Sequence, residues 1–129
     1  IERLRNRYIT ELSSGELQRV MISMSIVQQA KISLLDEPTS NLDIANQSSI
    51  MKLILKNHNV NQSTTLITMH DLTLSAQYSE RMILLHKGKI HSDGSPSKVL
   101  TKTNIKSTYG IDIEIISNPV TGSPIIVPS

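Results

Sequence analysis

The sequence predicts an α/β fold: a parallel sheet flanked by helices, with its ligand edge at the carboxyl ends of the strands. Three observations carry this. Ile32-Ser33-Leu34-Leu35 is a short apolar run that stops at Asp36-Glu37-Pro38, and Thr65-Leu66-Ile67-Thr68-Met69 is a second that stops at His70-Asp71. Between them, Ile44, Met51, Ile54 and Leu55 recur as on the inward face of a helix. Strand, helix, strand implies a right-handed parallel crossover, which would put His70 on the same sheet edge as Asp36 and Glu37. Open α/β sheets bind their ligands on that edge.

The elements follow in order. Ser13 with Glu16 three residues on is a capping box, and Leu12 and Leu17 stand where a hydrophobic staple would, so a helix is expected to start at Ser13. Leu17, Val20, Met21, Met24 and Val27 carry its apolar period to about residue 29. The run from Ile32 reads as a strand buried on both faces. Asp43 is placed to cap the second helix, expected over 44–57, and Asp71 a short one through Tyr78. Residues 81–85 read as a third strand, and Lys87-Gly88-Lys89 as a hairpin turn into Ile90-His91. Gly94-Ser95-Pro96 starts a helical stretch through Leu100, and another spans 103–109. The alternation of 111–116 predicts a strand, with Ile125-Ile126-Val127 pairing back after the turn at 119–124.

Composition narrows the function classes. The chain has 129 residues, 38% of them hydrophobic and 2% aromatic, so the core must be built from Ile, Leu, Val and Met. A formal net charge of +2 with scattered basic residues gives no electrostatic footprint for nucleic acid. The absence of Cys excludes disulfides, thiolate catalysis and Cys-based zinc, and the four His lack metal-ligand spacing. No apolar run approaches the roughly 18 to 20 residues of a membrane span. The opening Ile1-Glu2-Arg3-Leu4-Arg5 carries no start signal, which suggests a piece of a larger domain.

Adjacent carboxylates at a strand end point in different directions, because successive side chains alternate and the chain turns at Pro38. Asp36 is therefore free to help hold Mg2+ against phosphates, while Glu37 is placed to orient or deprotonate an attacking water. An acidic loop without catalytic duty has the same local sequence. The tip of the Ser13 helix offers backbone N-H groups and a glycine for close approach to an anion, although capping boxes also occur on helices that bind nothing. An imidazole at residue 70 would donate to a terminal phosphate oxygen, or serve as an ordinary loop residue.

Taken together, these segments resemble the C-terminal half of the nucleotide-binding subunit of an ABC transporter, a P-loop NTPase-type fold. Leu12-Ser13-Ser14-Gly15-Glu16 with Gln18-Arg19 resembles the family signature, Ile32 to Glu37 its Walker B strand, Ser40-Asn41-Leu42-Asp43 its D-loop, and His70 its switch histidine. The resemblance covers residues 1–129 as one partial ATPase domain with a short C-terminal β-hairpin and helical extension. It implies ATP and Mg2+ as cofactors, with Asp36 on the metal through its water shell, Glu37 on the water and His70 on the terminal phosphate. It also implies head-to-tail pairing with a second, identical ATPase subunit, so that Ser13, Ser14, Gly15 and Glu16 meet the nucleotide held by the partner and Asp43 lies at the interface.

Two departures stand out. Ser14 and Glu16 are familiar signature variants. The glycines, at 15, 88, 94, 110 and 122, nowhere form G-x-x-x-x-G-K-[ST], so the phosphate-cradling loop is not in these 129 residues. The chain alone is therefore expected to bind and hydrolyse ATP poorly. Leu42-Asp43-Ile44-Ala45-Asn46-Gln47, His70-Asp71-Leu72-Thr73-Leu74-Ser75-Ala76 and the tail from Tyr109 resemble importer ATPases for iron(III)-siderophore, haem and cobalamin. That implies a transmembrane permease partner, indirect membrane contact and a cytoplasmic place on the inner face of the membrane. A DNA-repair or chromosome-maintenance ATPase shares the motifs, but no coiled-coil heptads or basic stripe accompany them. A non-catalytic module that pairs with a complete ATPase subunit would also account for the missing loop.

Overall fold

Two adjacent strands in register, each with an acidic or hydroxyl residue at its carboxyl end, set up the first part of the chain. The computed structural model describes residues 2–129, and the chain divides into two units, Ile1–Met69 and His70–Ser129.

In the first unit, short 3-10 helices at Glu2–Leu4 and Ile9–Glu11 lead to α1 (Ser14–Val27), capped by Ser13. Strand β1 (Ile32–Asp36) follows, then α2 (Ile44–Asn61), capped by Asp43, then β2 (Thr64–Thr68). β1 and β2 pair in parallel with Leu34 opposite Leu66 and Asp36 opposite Thr68, as the crossover requires. Ile22 and Ile26 of α1, Ile54 of α2, and Ser33, Leu35 and Thr65 of the strands line one small cavity, so both helices cover the same face of the sheet. Ile50, Met51 and Ile54 of α2 are buried.

Three expectations are corrected here. β1 is not buried on both faces: Ile32 and Leu34 are 65% and 73% exposed, and Leu66 on β2 is 54% exposed, because the side chains alternate and only one face is covered by α1 and α2. The inward face of α1 is Ile22 and Ile26, whereas Met21, Met24 and Val27 are exposed. Ile44, at the first turn of α2, is 86% exposed, and that helix runs four residues past Asn57.

The second unit opens with α3 (Leu72–Tyr78), whose cap Asp71 accepts from the Leu74 N-H at 2.9 Å. β3 (Met82–His86) and β4 (Lys89–Gly94) form an antiparallel hairpin, with Lys87 at φ 48° and Gly88 at φ 73° in the two-residue turn. Two left-handed residues in succession match the twist of the flanking strands, which is why glycine suits the second position. Helices α4 (Pro96–Val99) and α5 (Lys102–Tyr109) follow, then the hairpin of β5 (Ile113–Ser117) and β6 (Pro124–Pro128). Its core is Ala76, Met82, Leu84, Val99, Leu100, Ile105 and Ile113. Within the described residues β3 pairs with β4 and joins no parallel sheet.

Candidate functional site

The carboxyl end of the β1–β2 pair is built by three residues. Asp36 ends β1 and faces Thr68, the last residue of β2. The Thr68 hydroxyl donates to Asp36 Oδ1 and accepts from the Glu37 backbone N-H at 3.0 Å, while the Thr68 carbonyl accepts the same N-H at 3.1 Å. Glu37 adopts φ +42°, a left-handed backbone that turns the chain sharply off the strand. Ser40 closes the turn, donating its N-H at 3.1 Å and its hydroxyl at 3.0 Å to the Glu37 carbonyl. Pro38 and Thr39 are buried beneath it. The result is a tightly hydrogen-bonded corner that carries two consecutive carboxylates.

The second cluster lies where α1 and α2 begin. The Ser13 hydroxyl accepts from the Glu16 N-H at 3.3 Å, and Glu16 Oε2 accepts from the Ser13 N-H and from its hydroxyl, each at 3.0 Å. These bonds hold the Glu16 carboxyl below the usual carboxylate range, with Arg7 and Arg3 adding to the effect. Asp43 is lowered likewise, first by the Asn46 N-H, which donates to Asp43 Oδ1 at 2.8 Å. Asn46 Nδ2 adds a bond to Asp43 Oδ2 at 2.9 Å. Gly15 is buried against Asn46, and Arg19 reaches both, donating to the Gly15 carbonyl at 3.3 Å and to Asn46 Oδ1 at 3.0 Å.

The structure thus brings Ser13, Ser14, Gly15 and Glu16 to one helix tip, with Asp43 linked to that tip through Asn46. It sets Asp36 and Glu37 at one strand end. His70 comes two residues after β2 and opens the second unit. Thr68 has no role in the sequence reading, and Arg19 and Asn46 enter it only as members of motifs, without roles of their own. For Thr68 a signal existed: assuming parallel register between the two apolar runs puts it beside Asp36.

Among the described residues no group of three or more His, Cys, Asp and Glu is placed to hold a metal. A single carboxylate fits Mg2+ nonetheless, because that ion keeps several waters and takes its remaining ligands from substrate phosphates.

The chain is similar to known proteins over most of its length. Residues 1–40 match the ABC transporter family. The chain is 43% identical over 122 residues to an uncharacterized ABC transporter ATP-binding protein of Methanocaldococcus jannaschii, MJ0089, covering 95% of this chain and 47% of that protein. It is 36% identical over 128 residues to the ferric enterobactin transport ATP-binding protein FepC of Escherichia coli K12, covering 99% and 47%. Over 130 residues it is 38% identical to the hemin import ATP-binding protein HmuV of Escherichia coli O157:H7, covering 96% and 51%. Among solved structures, an inward-facing metal-chelate-type ABC transporter superposes with a TM-score of 0.83 at 28% identity, over 98% of this chain and 52% of that one. The chain spans about half the length of the curated relatives it matches. It is homologous to the ATP-binding domain of ABC transporters, among them iron-siderophore and haem importer ATPases, and corresponds to part of that domain.

Proposed function

We propose that these residues form the hydrolytic and signature half of the ATP-binding subunit of an importer for a metal chelate such as an iron-siderophore, haem or cobalamin. The observation that carries this reading is the corner at Asp36–Glu37, where one strand end presents two carboxylates whose backbone and side chain are braced by Thr68. Mg2+, held by Asp36 through water, would neutralise the phosphates. Glu37, next in the chain, orients and deprotonates the attacking water, and His70 donates to the terminal phosphate. Ser13, Ser14, Gly15 and Glu16 meet the nucleotide held by a second, identical ATPase subunit, using the N-H groups of the α1 tip. Asp43 lies at that subunit interface. The assembly sits on the inner face of the membrane through a permease. The 129 residues alone bind and hydrolyse ATP weakly, since they contain no G-x-x-x-x-G-K-[ST] loop.

The relationship to FepC allows a direct test. A chimaera in which residues 1–129 replace the matching part of FepC is expected to hydrolyse MgATP. Glu37→Gln in that chimaera should cut turnover by roughly 10²–10⁴-fold while MgATP still binds, as loss of a general base does. A chimaera that folds and binds MgATP without turnover, or one indifferent to Glu37→Gln, would overturn the assignment.

A further inference from the structure

Asn46 uses both ends of its amide between two helix starts. Its Oδ1 accepts from Arg19 Nη2 of α1 at 3.0 Å, and its Nδ2 donates to Asp43 Oδ2 at 2.9 Å. Its plane lies against Gly15, so close that a Cβ there would stand 2.9 Å from Cγ, 3.0 Å from Nδ2 and 3.1 Å from Oδ1. Arg19 returns to the α1 tip through the Gly15 carbonyl. A primary amide can accept from a cation on one side and donate to a carboxylate on the other, which is how Asn46 is used here. An aspartate would oppose Asp43, and a leucine would fill the volume but bond neither.

We propose that Asn46 is a positioning residue that makes the Ser13–Glu16 tip and Asp43 move as one. Its glycine neighbour is required for the same reason, because any side chain at 15 displaces the amide. The functional meaning rests on the reading above: nucleotide engaged at the tip would then set the position of Asp43 at the subunit interface within the same chain. The linkage itself is a property of these residues and needs no nucleotide.

The test follows the Arg19 Nε–H resonance by NMR in the 129-residue chain as Asp43 is titrated. Arg19 is the charged group facing Asp43 from α1, and the Ala45 and Asn46 N-H groups face it from α2. A Glu16→Gln background removes the other carboxyl at the tip. Arg19 Nε–H is expected to shift with the midpoint of Asp43, and since Arg19 also feels Asp43 directly through space, the response should shrink several-fold in Asn46→Leu. It should shrink equally in Gly15→Ala, whose retained fold is checked by the dispersion of its amide resonances. No response in the parent chain, or an undiminished response in either folded variant, would overturn the proposal. An inactive FepC chimaera would sink the ATPase reading and leave this result unchanged.

Discussion

Glu16 shows at a single residue how a helix start makes stability depend on pH. Its carboxylate accepts two bonds from Ser13, so its folded-state affinity for a proton is lower than in the unfolded chain. A depressed carboxylate contributes stability above its unfolded pKa and loses it as pH falls through the folded value. Acid should therefore weaken the first unit as pH drops into and below the ordinary carboxylate range, with Asp43 contributing in the same direction. Urea midpoints of the 129-residue chain measured down that range should fall. Glu16→Gln, which keeps a capping acceptor but cannot titrate, should flatten part of the fall; an unchanged slope would contradict the link.

At the scale of elements, the second unit depends on α5 inserting Ile105, 1% exposed, beside Val99, Leu100 and Ile113. Ile105→Ala should cost about 2–5 kcal/mol in chemical denaturation, the range for a buried large-to-small change. Local chemistry made many elements legible in the sequence. The capping box at Ser13 and Glu16, the caps Asp43 and Asp71, the Lys87-Gly88 turn and the Ser95-Pro96 start are all settled by residues within four positions of one another. Which stripe of α1 faces inward was not legible. Met21, Met24 and Val27 satisfy the helical period as well as Ile22 and Ile26 do, and only packing on the sheet distinguishes them. The carboxylate pair at the end of β1 could be read from the strand pattern. Its bracing by Thr68 and the Arg19–Asn46 bond are nonlocal, spanning 31 and 27 residues, and follow from the crossover and the helix contact.

For the whole molecule, the open face of the β1–β2 pair is the outstanding surface. Parallel strands are ordinarily covered on both faces, yet Ile32, Leu34 and Leu66 lie side by side and more than half exposed, on a sheet of two strands. Apolar side chains beside unpaired strand edges favour association. Light scattering on the 129-residue chain should show mass rising with concentration, and Leu34→Lys should reduce it. A monomer at high concentration in the unsubstituted chain would show that this face is tolerated in water. Among the described residues no helix is long and apolar enough to cross a membrane.

The left-handed backbone at Glu37 bears on how the sequence is selected. Glutamate is a poor occupant of that conformation, whereas Asn and Gly enter it readily. Selection for folding alone would favour Asn or Gly at 37, and Glu37→Asn should raise the urea midpoint of the chain. Under the role proposed for Glu37, the corner carries its carboxylate at the expense of backbone stability.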